Sequence, residues 1–312
     1  MRYRILGVTT AEDEHGSVVP IGGPRLRALL TALALRPSRV VTPQALIDEV
    51  WAEDPPQDAP AALQALIGRL RRALGKDAVT FETGGYRLAA GKADIDLFVF
   101  ERLVQQGTDA LTGDDPALAE RHLDAALALW HGPALADLPD RSAATRPEAR
   151  RLEATRARAE ARLRLGRGLD VVPELRELTA VHPYDEPLHA LLIRALRDTG
   201  READALAAYE TARRALAEGL GTDPGPQLRA LHAGLLDSAP KDEKRPSAPP
   251  ERERTRPGAI RPRLTSFVGR EPEIDAIRSD MHRARLAARG GDELSRRLLA
   301  WAADALSLLR SL

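Results

Sequence analysis

Apolar positions recur at helical spacing along most of this chain, and period-two alternation is confined to two short places. The clearest helical segment runs from Asp58 to Gly75. At 100° per residue, Leu63, Leu66, Ile67, Leu70 and Leu74 fall on one side of it. The opposite side carries Ala61, Ala65, Gly68 and Arg72, flanked by Gln64, Arg69 and Arg71. Asp58 is placed to cap the helix start, Pro60 fits its first turn and Gly75 stops it. The run Val79–Leu88 then reads as a hairpin with Gly84-Gly85 at its turn.

Upstream, residues 3–8 and 18–21 read as short strands around the turn-like stretch 12–16. Pro24 opens a helix with the stripe Leu26, Leu29, Leu30, Leu33 and Leu35, which Pro37 ends. Val40-Val41 is extended, and Thr42 caps a helix from Pro43 to about Trp51 with Leu46, Ile47 and Val50 inward. An acidic, proline-bearing loop, residues 52–57, leads into the Asp58 helix. Strands, three helices and a hairpin in that order predict an α+β winged helix-turn-helix of the OmpR (response-regulator) type over residues 1–93.

From Asp94 the pattern becomes helix after helix, so the chain is predicted to be mostly α. Helices are expected over 96–111, 116–130, 143–165, 170–181, 186–198, 202–218 and 226–236, with a compact turn at 131–137. The pairs Glu148–Arg151 and Glu153–Arg156 are positioned to support the longest of them. Gly166-Arg167 and Gly200-Arg201 lie 34 residues apart, the tetratricopeptide period, which predicts an all-α helical-repeat domain over 94–238. Residues 239–263 hold six prolines, eight basic and four acidic residues and almost nothing apolar, the composition of a flexible linker. A tail, 264–312, reads as helical, with Leu294, Leu298, Leu299, Trp301, Leu306 and Leu309 on a strongly apolar helix.

Charge changes the picture by placement and not by sum. The formal net charge is zero, so no bulk attraction to nucleic acid is available. Between Arg69 and Lys92, however, basic residues outnumber acidic ones six to two. Cysteine is absent, which removes disulfides, thiol chemistry and Cys-ligated zinc and fits a reducing cytoplasm. No apolar run approaches a membrane span, so a cytoplasmic location with no membrane partner is expected. The sequence lacks Gly-x4-Gly-Lys-Ser/Thr, His-Glu-x2-His and Gly-x-Ser-x-Gly, and its seven histidines are scattered without ligand spacing. No enzyme, cofactor or metal site is expected.

An Arg/Gln-bearing helix face beside a hairpin suits the major groove, with Arg matched to guanine edges and Gln to adenine. Gln64, Arg69, Arg71 and Arg72 are the candidate DNA contacts on the helix, and Tyr86 and Arg87 those on the wing. Two other readings compete. One is a protein-interaction adaptor that uses the helical repeats, with the winged helix as a docking module. The other is a nucleotide-dependent switch, against which the missing phosphate loop already counts.

Three stretches resemble one known family. They are Gly23–Leu30 through Val40-Val41 with Leu46–Trp51; Ala62–Gly75 with Gly85-Tyr-Arg-Leu88; and Ala128–Asp137 with Tyr209 and Leu220–Pro224. Together they are similar to the SARP family, the actinobacterial antibiotic regulatory proteins, over roughly residues 1–238. The resemblance implies a tetratricopeptide-like bacterial transcriptional activation domain behind the winged helix. It also implies an activator of antibiotic (secondary-metabolite) genes. Such a protein binds direct repeats of double-stranded DNA beside a second protomer and recruits RNA polymerase holoenzyme. The loop before the recognition helix then faces polymerase or its sigma factor, which marks Trp51, Glu53 and Asp54. Phe267–Glu271 looks like the entry to the ATPase domain of longer family members. The phosphate loop expected after it is missing, so the tail resembles a truncated ATPase entry without ATP control.

Overall fold

The computed structural model describes residues 1–238, and the linker and tail read from the sequence at 239–312 lie outside them. The chain opens with a three-stranded antiparallel sheet, β1 (Arg2–Arg4), β2 (Thr10–Glu12) and β3 (Val18–Val19), in the order β1-β2-β3. The strand expected over 3–8 is therefore shorter. Residues 10–12 form a middle strand that the sequence reading did not include, overlapping the turn-like stretch 12–16 only at Glu12, with Tyr3 opposite Ala11 and Ala11 opposite Val19.

Three helices follow: α1 (Pro24–Ala34), α2 (Pro43–Trp51) and α3 (Ala59–Leu74). The Thr42 side chain accepts from Ala45 N at 3.3 Å, and Asp58 accepts from Ala61 N at 3.0 Å, so both expected caps form. Leu26, Leu29, Leu30 and Leu33 are buried as expected, whereas Leu35 is only half-buried. Helix α1 is the centre of the winged helix, since Ala28, Thr31, Ala32 and Ala34 are buried too. Arg25 donates to the Val50 carbonyl at 2.5 Å, and Arg36 pairs with Glu49, which ties α1 to α2. The hairpin β4 (Val79–Glu82) and β5 (Gly85–Leu88) completes an OmpR-type winged helix-turn-helix.

The all-helical part comprises α4 (Asp96–Thr112), α5 (Pro116–Leu127), α6 (Thr145–Arg164), α7 (Gly168–Val181), α8 (Glu186–Asp198), α9 (Glu202–Leu220) and α10 (Pro226–Ser238). Gly166 and Gly200 both take positive φ, 74° and 75°. Their turns close alike, Arg167 N on Arg162 O and Arg201 N on Leu196 O, each at 2.9 Å. The α6–α7 and α8–α9 pairs are thus the same unit repeated at 34 residues. The pairs expected within α6 do not form: Glu153 pairs instead with Arg150 of the same helix, and the other three residues contact neighbouring segments. Glu148 accepts from Ala134 N at 2.8 Å, Arg151 lies 4.7 Å from the centre of the Trp130 ring, and Arg156 pairs with Asp185. Arg158 and Arg162 join Asp124, Glu120 and Glu174 across α5, α6 and α7.

The hydrophobic core does not stop near residue 93. One cluster runs from Tyr3 through α1, α3 and the hairpin into Phe100, Leu123, Trp130 and Ala161, and a second fills the repeats from Ala159 to Leu235. Two buried carboxylates fasten the seam inside the first cluster. Asp96, at the start of α4, accepts from Ile5 N at 2.9 Å, Leu6 N at 3.1 Å and Leu97 N at 2.8 Å. Asp137 accepts from Thr9 N and from Arg27 Nε of α1, each at 2.7 Å. The turn between them adds His131 N on Leu6 O and Leu135 N on Ile5 O, both at 2.9 Å. Among the described residues, no helix is long and apolar enough to cross a membrane.

Burial pushes the Asp96 carboxyl up to about 6, against the opposing pull of its three amide donors and of Arg4. Because its folded pKa lies above the unfolded one, this group's contribution is complete at acid pH and declines as pH rises through about 6. Chemical unfolding of the parent and Asp96→Asn from pH 4 to pH 7.5 is expected to show the parent losing roughly 2–3 kcal/mol relative to the variant across that window. Parallel pH profiles would refute the assignment.

Candidate nucleic-acid interface

Helix α3 buries Leu63, Leu66, Ile67, Leu70 and Leu74, as its spacing required, and so turns one face outward. On that face Ala61, Gln64, Ala65, Arg69 and Arg72 are exposed. Gln64 and Arg69 make no hydrogen bond or ion pair among the described residues. Arg72 touches only its own helix, with Nε 3.3 Å from Gly68 O. Gly68 lies on the same face, and a Cβ built there meets nothing within 4 Å. A glycine inside a helix costs about 1 kcal/mol relative to alanine, and nothing in the packing of this chain requires it. The outward strip is therefore low, uncluttered and basic.

Arg71 has a different role. Its Nε donates to Val79 O at 2.7 Å, tying the last turn of α3 to the base of the hairpin. That bond fixes the helix relative to the wing and takes Arg71 out of the freely presented set.

The wing departs from expectation in several ways. Glu82 pairs with Gly85, so the two-residue turn is Thr83-Gly84 and not Gly84-Gly85. Gly85 instead lies against a third extended segment: Tyr86 N donates to Val41 O at 2.9 Å, and Val41 N to Tyr86 O at 2.8 Å. A Cβ at Gly85 would overlap the Val41 carbonyl. Tyr86, a candidate DNA contact, is only 8% exposed and packs edge-on to Phe81 with ring centres 5.4 Å apart. Its burial makes it a core residue of the wing. Arg87 is half-buried, and its guanidinium is held by Glu82 at 2.6 Å. The exposed side chain is Phe81, 65% accessible, which the sequence reading did not single out. It lies on the same face of the strand as buried Val79.

The loop between α2 and α3 is presented differently. Trp51 is buried at 9% exposure and belongs to the core, which corrects its placement among surface contacts. Glu53 and Asp54 are exposed, and neither forms an ion pair among the described residues. Ala52 takes a positive φ of 51°, which turns the chain sharply out of α2.

Comparison with known proteins bears on the whole chain. Residues 21–88 match the transcriptional regulatory protein C-terminal family, and residues 95–236 match the bacterial transcriptional activator domain. The regulatory protein DnrI of Streptomyces peucetius is 36% identical over 265 residues, covering 80% of this chain and 97% of DnrI. The chain belongs to the SARP family of transcriptional regulators. AfsR of Streptomyces griseus is 37% identical over 284 residues, which is 89% of this SARP chain but 29% of AfsR. This chain thus spans less than a third of the length of that relative. A solved structure of Mycobacterium tuberculosis EmbR, in complex with a low-affinity phosphopeptide, superposes with a TM-score of 0.71 at 37% identity. It covers 77% of this chain and 66% of EmbR. As a class, these relatives are transcriptional regulators and not enzymes.

The wing geometry generates one stability test. Gly85→Ala is expected to destabilise the SARP chain by at least about 3 kcal/mol, because the added methyl must displace the paired Val41 backbone. Gly84→Ala, at the open turn, is expected to cost about 1 kcal/mol through its positive φ alone. Equal unfolding midpoints for the two variants would contradict the close-approach account.

Proposed function

We propose that this SARP chain is a sequence-specific DNA-binding activator that seats α3 in the major groove of direct repeats and recruits RNA polymerase for secondary-metabolite genes. The observation that carries the reading is the outward face of α3. There, exposed Gln64, Arg69 and Arg72 flank a glycine against which no described residue packs. A groove is about as wide as a helix, so small residues let the backbone approach while Arg and Gln reach base edges or phosphates. Arg71 acts as a positioning residue through the hairpin. Side-by-side protomers on DNA follow from the direct repeats.

In this reading Glu53 and Asp54 form the acidic surface offered to basic residues of polymerase or its sigma factor. Their exposure and lack of partners within the described chain support that role. The whole activity of the longer relatives, which extend far beyond this chain, is not assigned to it.

Selection from random duplexes at about 150 mM salt is expected to enrich two copies of one short motif in the same orientation. No enrichment would overturn the reading in favour of a protein-docking adaptor. On the selected duplex, Gly68→Ala is expected to raise thermal stability slightly yet weaken binding, because the added methyl helps the helix and obstructs the groove. Arg69→Ala and Arg72→Ala are each expected to cost about 1–3 kcal/mol at a base, or to lower the salt slope by about one at a phosphate. Charge reversal at Glu53 and Asp54 is expected to leave DNA affinity within twofold and to lower transcription from a reconstituted promoter severalfold. Unchanged transcription would remove the loop from the polymerase contact.

A further inference from the structure

A cavity of about 310 Å³ lies on the seam between the winged helix and the all-helical part. The N-terminal sheet forms one wall, where Arg2 and Arg4 share a face of β1 by alternation and Glu12 of β2 stands opposite Arg2. One side of α4 forms another, with Asp96, Val99 and Arg102 recurring at three-residue spacing. Leu129, just past α5, is half-buried against the same space, and Ala93 stands exposed at its edge.

The charges around this cavity are not equally engaged. Glu12 is paired with Arg4 at 2.5 Å, and Asp94 accepts from Gly91 N at 2.8 Å. Asp96 accepts from three backbone amides. Each lining carboxylate therefore has donors of its own. Of the three lining arginines, Arg4 alone is held by a carboxylate. Arg2 and Arg102 are exposed and form no ion pair among the described residues, and Arg102 reaches only Gln106, at 3.5 Å. The unspent charge is positive, and it lies beside the apolar side chains of Val99 and Leu129. An enclosed space with apolar walls and a few convergent polar groups is the usual form of a small-molecule site, and its volume falls at the lower end of the range of about 300–1,000 Å³.

We propose that this seam cavity binds a small organic monoanion, a compact apolar carboxylic acid whose carboxylate is held by Arg2 and Arg102 and whose body rests on Val99 and Leu129. The site goes beyond the DNA-binding reading and does not depend on it. A single negative charge fits better than two, because a dianion such as a phosphate monoester would also face Glu12, Asp94 and Asp96. Guanidinium is suited to planar, two-pronged recognition of a carboxylate. With one arginine on β1 and the other on α4, the bound acid bridges the two halves of the fold at their seam.

The experiment titrates 1-naphthoate into the full chain by calorimetry at about 50 mM salt, where exposed guanidiniums are only partly screened. Saturable one-to-one binding with a Kd of roughly 0.1–1 mM is expected for an acid of this size, together with a raised unfolding midpoint. Arg2→Ala and Arg102→Ala are each expected to weaken binding about fivefold or more, with parent-like unfolding midpoints because both side chains are exposed. Ala93→Trp, which fills the cavity from an exposed position, is expected to abolish it. Arg121→Ala, an exposed arginine of α5 that does not line the cavity, should bind as the parent does. The cation 1-naphthylmethylammonium carries the same apolar body and should bind at least about tenfold more weakly. An absence of saturable naphthoate binding up to about 5 mM overturns the proposal. So does equal binding of the cation, parent-like binding by Arg102→Ala, or an equal loss in Arg121→Ala. Each of these outcomes leaves the DNA-binding reading intact, since no duplex enters the measurement.

Discussion

Two buried carboxylates hold this molecule in one piece. Asp96 gathers the amides of Ile5, Leu6 and Leu97, and Asp137 gathers Thr9 N and Arg27. A buried charge is tolerated only where donors surround it, and here the donors are supplied by both halves of the fold. The loop between β1 and β2 and the turn at 131–137 satisfy part of each other's backbone, through Ile5 O, Leu6 O and Thr9 N. The winged helix and the first helices behind it therefore share a core, from Tyr3 to Ala161, and are not beads on a string. Helix α3 is thereby mounted on the same core as the first helices of the all-helical part.

Arginine is used in two ways, and the zero net charge conceals the division. Arg25, Arg36, Arg71 and Arg87 are bound to carbonyls or carboxylates within the winged helix, and Arg27 to Asp137 across the seam. Arg156, Arg158, Arg162 and Arg194 cross-brace the repeats. Arg69 and Arg72 remain outside both sets, on a helix face whose only other features are glutamine and small residues. Many of the arginines among the described residues are thus engaged with carbonyls or with the acidic residues of neighbouring helices.

The repeats apply one local solution twice. A glycine at positive φ ends the first helix of each pair, and the next amide reaches back five residues to close the turn. A residue with a side chain strains at that φ, so the turn residue and the 34-residue period are set together. The second core, Ala159–Leu235, then grows by stacking equivalent faces.

What the sequence determined by itself was local. Helix α3, its Asp58 cap, its apolar stripe and its outward Gln/Arg face follow from a 3.6-residue period and from capping chemistry, both of which act within a few residues. The same holds for α1, α2 and the paired turns at Gly166 and Gly200. The tertiary structure decided which polar side chains are free. Tyr86 and Arg87 looked alike as wing residues, yet one is folded into the core beside Phe81 and the other is neutralised by Glu82. Trp51 was assigned to a surface loop and lies in the core. Phe81, which the sequence reading did not single out, is exposed. Gly85, placed at a turn by its neighbour Gly84, is needed for the approach of Val41, more than forty residues earlier. Exposure and partnership depend on contacts between segments distant in the chain, and no local period encodes them.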